Sequence, residues 1–161
     1  MARDDASVVT ALEIVHEPLG NLATFDAGGR TVERVTIASD DLAKRLLRLR
    51  GATRDLGVRL ADGGRLRDGD VLYADAERVI ALEVLPDVVL VCRPESLARA
   101  ATVAHALGNR HLPMLIDGDA LIVRDDRLVE ELFTGLGVPF ARESRTLAAP
   151  FRHAHAPHGH A

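Results

Sequence analysis

At Pro86-Asp87 the chain changes its style of patterning, and this break constrains the fold more than any other feature. Upstream, short β-rich runs alternate with glycine turns; downstream, strands and helices take turns. The downstream half opens on Val88-Val89-Leu90-Val91-Cys92, a continuous apolar run of the kind a strand shows when both of its faces are buried. Pro94-Glu95-Ser96 then opens a helix that runs to about Leu107. Leu97, Ala101 and Ala104 form its expected apolar face, Glu95 and Arg99 stand at i,i+4 spacing, and Gly108 occupies the C′ position that stops it. Met114-Leu115-Ile116, a turn at Asp117-Gly118, and Leu121-Ile122-Val123 read as a hairpin. A second helix is expected from about Asp126 to Thr134, with Leu128, Leu132 and Leu136 four apart and Gly135 and Gly137 ending it. Phe140 to Leu147 is the last strand. The order βαββαβ is the ferredoxin-like arrangement.

Upstream of the break, Ser7 to Val15, Val32 to Ile37, Val71 to Tyr73 and Val79 to Leu85 read as strands. Gly28-Gly29, Gly51, Gly63-Gly64 and Asp68-Gly69-Asp70 supply the turns between them. Asp41 to Leu49 fits either a short helix or a strand. The expectation is an α+β protein in three parts. A small mostly-β N-terminal domain covers residues 1–86, a ferredoxin-like βαββαβ domain covers 87–150, and a disordered His-rich tail covers 151–161.

Composition narrows the function classes. Hydrophobic residues are 47% of the chain but aromatics only 3%, so the core must be aliphatic. A net charge of -4 argues against nucleic acid as partner, and the basic run from Lys44 to Arg50 reads as a solvated edge. No apolar run approaches the roughly 20 residues a spanning helix needs. Met1 to Asp5 lacks the apolar core of a signal peptide, and the single cysteine, Cys92, excludes an internal disulfide. The expectation is a soluble, cytoplasmic protein with no membrane partner.

Four of the seven histidines lie in the tail as two His-x-His pairs, His153 with His155 and His158 with His160. Small residues and a proline separate them, so nothing there can build a core. Neutral imidazole binds Zn, Cu and Ni, and His-rich tails are a metal-binding composition. An expression tag or a solubilising tail is the plain alternative. A fifth histidine, His111, sits in Gly108-Asn109-Arg110-His111-Leu112-Pro113, just past a helix stop, on a connection of the sort that displays ligands. It could equally be a capping residue that favours the helix dipole. His105 lies six residues earlier and shares no helix face with it, and His16 reads as structural. One histidine cannot hold a transition metal tightly, but a two-fold axis would supply a second copy of it. Asp117, Asp119, Asp125 and Asp126 are better explained as turn and N-cap residues than as a carboxylate site. Catalytic signatures such as GxSxG, HExxH, GxGxxG or a P-loop are absent from the sequence.

Gly108-Asn109-Arg110-His111-x-Pro113 after a helix, on a ferredoxin-like second domain with a His-rich end, resembles the UreE family of nickel metallochaperones of urease maturation. Arg45-x-x-Arg48-x-Arg50, Gly57-x-x-Leu60 and Gly64-x-Leu66-x-x-Gly69-Asp70-x-Leu72 are similar to that family's first domain. The resemblance implies a first domain like a peptide-binding chaperone module and a dimer formed through the second domain. It implies that His111 of both subunits meets at an interfacial nickel site, with His153, His155, His158 and His160 capturing the ion. Ni(II) is then cargo, with Zn(II) or Cu(II) possible in vitro, and the recipients are an accessory GTPase and the urease apoprotein complex. The protein would be no enzyme. The rival reading is a polypeptide-binding chaperone module whose tail buffers metal. Two departures are visible: Arg124-Asp125-Asp126-Arg127 carries no histidines where some relatives have them, and Ala61-Asp62 stands where Leu-Pro is usual.

Overall fold

The computed structural model describes residues 12–151. The chain divides into two units, Met1–Leu85 and Pro86–Ala161.

Among the described residues of the first unit the elements are strands and one short turn of 3-10 helix. A three-stranded sheet has the order β1-β5-β4, built from β1 (Glu13–Val15), β5 (Asp55–Arg59) and β4 (Leu46–Arg50). A four-stranded sheet has the order β2-β6-β7-β3, from β2 (Gly20–Asn21), β6 (Asp70–Ala74), β7 (Arg78–Val84) and β3 (Thr31–Ile37). The stretch from Asp41 to Leu49, which fitted either helix or strand, is partly each. Ser39–Ala43 is the 3-10 turn, and β4 begins at Leu46. Period two decides the second half: Leu47 and Leu49 face the core, while Leu46, Arg48 and Arg50 face outward. The core is aliphatic, as the composition requires, with Leu56, Val58, Leu66, Leu72, Ile80 and Leu82 at its centre. The Arg67-Asp68-Gly69-Asp70 turn explains the glycine and aspartate spacing before β6. Gly69 takes a φ of 78°, open to glycine at no steric cost. The buried Asp70 carboxylate accepts from the Arg67 amide at 2.7 Å, and Asp68 accepts from the Val84 amide at 2.8 Å.

In the second unit the order is β8 (Asp87–Cys92), α1 (Leu97–Gly108), β9 (Met114–Asp117), β10 (Ala120–Arg124), α2 (Arg127–Gly135) and β11 (Phe140–Arg145). The four strands form one antiparallel sheet in the order β11-β8-β10-β9. Ser96 caps α1 through the Arg99 amide and Asp126 caps α2 through the Leu128 amide at 2.7 Å. Val89 to Cys92 are buried on both faces for different reasons. Leu90 and Cys92 join Val103, Leu107, Val129 and Phe133 under the helices. Val89 and Val91 join Ala120, Ile122 and Leu147 on the opposite face, against which Phe151 packs.

Four local expectations are corrected here. The buried face of α1 is Val103 and Leu107, whereas Leu97 is 87% exposed and Ala101 is exposed too. The i,i+3/i+4 spacing allowed both stripes, and only the position of the sheet chooses between them. Arg99 does not turn to Glu95; its guanidinium donates to the Leu136 and Gly137 carbonyls at 2.7 and 3.1 Å, tying the start of α1 to the end of α2. In α2 the core takes Val129 and Phe133, leaving Leu128 61% exposed. The chain after Pro150, expected to lack core contact, still carries the packed Phe151.

Candidate metal centre

Both helices of the second unit end in the same way. At the end of α2 the Val138 amide donates to Phe133 O at 3.1 Å and the Gly137 amide to Thr134 O at 3.0 Å, with Gly137 at a φ of 62°. At the end of α1 the Leu112 amide donates to Leu107 O at 3.1 Å and the His111 amide to Gly108 O at 2.9 Å. These paired 6→1 and 5→2 bonds are a Schellman motif, which requires a left-handed residue at C′. Glycine fills that position in α2; in α1 it is His111, with a φ of 55°. It is the sole positive-φ residue other than glycine among the described residues. A Cβ in this region costs about 1–2 kcal/mol, a penalty glycine escapes, though histidine is among the residues enriched there. Gly108 is therefore not the C′ residue: it lies within the helix without a positive φ.

The rest of the motif serves the same turn. Leu112, at C″, packs onto the cluster that contains Leu107, and Pro113 prevents the helix from resuming. The Asn109 amide nitrogen lies 3.0 Å from Nε2 of His105; an amide nitrogen can only donate, so that ring nitrogen is the accepting one. The Arg110 guanidinium donates to Ala106 O at 3.2 Å. His111 itself is exposed. Its backbone, not its imidazole, makes the turn's hydrogen bond.

Beside it runs an open groove of about 480 Å³ lined by Arg110, Leu112, Asp126, Leu128, Glu131 and Leu132. Its floor is aliphatic and its rim carries both signs of charge. The exposed Leu128 belongs to this groove.

The remaining candidates resolve as follows. Among the described residues no group of three or more His, Cys, Asp or Glu side chains is placed to hold a metal ion. Asp117 pairs with Arg145 at 3.3 Å, Asp125 with Arg142 at 3.0 Å, Asp119 lies 3.9 Å from Arg93, and Asp126 caps α2. Nδ1 of His16 lies 3.2 Å from Arg59 O, so it donates there and ties β1 to β5. Arg45 and Arg48 are ion-paired to Asp62 and Asp55. Burial raises the Cys92 thiol above its ordinary range, with Arg99 acting weakly in the other direction, which keeps it protonated and unsuited to metal. His153, His155, His158 and His160 lie outside the described residues. No helix among the described residues is long and apolar enough to cross a membrane.

Comparison with known proteins decides the family. Residues 15–85 match the family model of the UreE urease accessory protein N-terminal domain, and residues 87–161 match that of its C-terminal domain. The chain belongs to the UreE family. Among its relatives, the Urease accessory protein UreE of Corynebacterium efficiens is 45% identical over 148 residues, covering 90% of this chain and 99% of its own length. That of Geobacillus kaustophilus is 42% identical over 141 residues, with 87% and 95% covered. That of Bacillus sp. strain TB-90 is 41% identical over 140 residues, with 86% and 95% covered. For a UreE-family chain the left-handed His111 takes on added meaning. Spacing had marked it as a helix-stop residue on a connection, but its φ, the signal of a strained and displayed side chain, comes from the turn geometry alone.

Proposed function

We propose that this UreE-family chain serves urease maturation by carrying Ni(II) to the urease active site, with no catalytic step of its own. The observation that carries the reading is His111. An exposed imidazole occupies a C′ position that the neighbouring helix fills with glycine, so the chain presents a potential metal ligand where stability alone favours glycine. Neutral imidazole is a good ligand for Ni(II), and it also accepts Zn(II) or Cu(II), so selectivity rests with supply and partners.

In this reading the chain is a homodimer through its second unit, residues 87–150, which we take as a ferredoxin-like module on the support of the β11-β8-β10-β9 order and the two intervening helices. Two copies of His111 meet at the two-fold axis, and the aliphatic groove beside it gives that interface an apolar floor. His153, His155, His158 and His160 capture the ion and complete its coordination. The first unit, residues 1–86, docks polypeptide. The recipients are the accessory GTPase and the urease apoprotein complex, in the cytoplasm.

The test is calorimetric titration of the parent and of His111→Ala with nickel, with the mass of each measured in solution. The expected result is a dimer in both and one tight nickel per parent dimer that the variant lacks. A variant that binds the first ion as the parent does, or a monomeric parent at micromolar concentration with and without nickel, overturns the reading.

A further inference from the structure

The basic run from Lys44 to Arg50, a solvated edge by sequence, forms an edge strand of the first unit. β4 ends the order β1-β5-β4, and no strand pairs with its outer side among the described residues. The bonds that border the ladder fix its phase: the Gly51 amide donates to Arg54 O at 3.0 Å, and the Leu60 amide to Arg45 O at 2.9 Å. Alternate residues of an antiparallel ladder exchange bonds with their partners, so Leu47 and Leu49 bond to β5. The amides and carbonyls of Leu46, Arg48 and Arg50 therefore point to the free edge, and their side chains share the outer face. Charge on that face is uneven. Arg48 pairs with Asp55 at 3.0 Å and Arg54 with Glu13 at 3.3 Å, which engages the carboxylates of all three strands. Arg50 and Arg59 are exposed and form no ion pair among the described residues. Leu46, across from Arg59, is 69% exposed. Towards β1 the chain closes the face itself: Gly57 is buried under Leu12 and Ile14, and a Cβ there would stand 2.8 Å from Ile14 Cδ1. The β4 edge is the part left open.

We infer that the free edge of β4 takes up an extended acidic segment of a partner protein as an added antiparallel strand, with acidic side chains opposite Arg50 and Arg48 and an apolar one opposite Leu46. The inference rests on the reading of the first unit as a polypeptide-docking module and gives that reading a surface and a chemistry. Read from its N-terminus, the segment runs acidic-x-acidic-x-apolar. Main-chain bonds to Leu46, Arg48 and Arg50 supply affinity whatever the sequence, and the outer face supplies the choice. Each opposite-charge pair across strands is worth up to about fivefold in affinity. A second copy of β4 fits the edge poorly. Antiparallel pairing centred on Arg48 would set Arg48 against Arg48 and Leu46 against Arg50, and like charges directly opposite each other are unfavourable. Charged edges hold off copies of themselves for this reason, and the same charges favour an acidic strand.

The experiment uses the full chain without metal and three labelled probes. One is a short peptide centred on Glu-Thr-Glu-Thr-Leu, the second has lysine for both glutamates, and the third is reduced, alkylated lysozyme as a permanently unfolded polypeptide. Anisotropy reads affinity, and amide hydrogen exchange reads the place of binding. The parent is expected to bind the acidic peptide about tenfold or more tightly than the lysine peptide, less so as salt is raised. The Leu46, Arg48 and Arg50 amides should then exchange more slowly, while those of Leu47 and Leu49, already bonded to β5, stay as they were. Arg48→Glu combined with Arg50→Glu should reverse the preference, a gain that misfolding cannot produce. Equal binding of the two peptides by the parent overturns the inference, as does protection confined to other amides. Slow exchange of the Leu46, Arg48 and Arg50 amides in the peptide-free chain also overturns it, because the edge would already be occupied by the chain itself or a second copy. If unfolded lysozyme binds and the acidic peptide does not, polypeptide docking stands and this edge is what fails. If neither binds, the docking reading fails with it.

Discussion

His111 places a side chain at a dihedral angle that favours glycine. A φ of 55° is what the Schellman turn demands and what a Cβ resists. His111→Gly should relieve the resistance while adding some unfolded-state freedom, for a net gain between about 0 and 1 kcal/mol. His111→Ala keeps the penalty and gains nothing. The expected order of urea midpoints is therefore glycine at or above the parent and alanine at or below it, with both variants lacking the first nickel site. A glycine variant clearly less stable than alanine would mean that the imidazole makes contacts the turn geometry does not reveal.

Among the elements, α1 shows how far a helix periodicity can be read. Leu97 and Ala101 make a plausible stripe, yet the sheet lies against Val103 and Leu107. Leu107→Ala should cost about 2–5 kcal/mol, the range for a fully buried leucine, and Leu97→Ala should stay within about 0.5 kcal/mol. Equal costs in urea unfolding would put the helix in a different rotation. A second prediction concerns the loop after β4. Burial tends to raise the Glu33 carboxyl, but the Thr53 hydroxyl at 2.5 Å, the Thr53 and Ala52 amides and the Arg78 charge outweigh it and hold it below its ordinary value of 4.5. A carboxyl depressed in the folded state contributes stability above its unfolded value and loses it as pH falls through the folded one. The parent should therefore lose more stability than Glu33→Gln when pH is lowered from about 5 towards 3. Thermal unfolding across that range checks it; parallel curves would refute the clasp.

For the molecule as a whole, the proposed site predicts a steep dependence of nickel binding on pH. Each imidazole must be neutral to bind, and histidine ordinarily titrates near pH 6.5, so affinity should fall away between about pH 7.5 and 5.5. Two to four ligands should release more than one proton per metal, which calorimetry in buffers of different ionisation enthalpy counts. Affinity independent of pH in that window would point to carboxylates.

The succession of elements in the second unit, the hairpin at Asp117-Gly118, the helix start at Ser96, the N-cap role of Asp126 and the buried run of β8 were all legible along the chain, because each is a matter of local pattern. The Gly108 to Pro113 motif was legible as a helix stop for the same reason. What the chain could not disclose was rotation and return. Which stripe of α1 is buried depends on where the sheet lies. Why Val89 and Val91 are buried depends on residues 147–151 folding back over them from a distance of more than fifty positions along the chain. That His111, and not Gly108, takes the left-handed turn depends on how far the last helical bonds run before Leu112 finds the core. Local propensity is written in neighbouring residues; these outcomes were decided by competition among surfaces that only meet once the chain has folded.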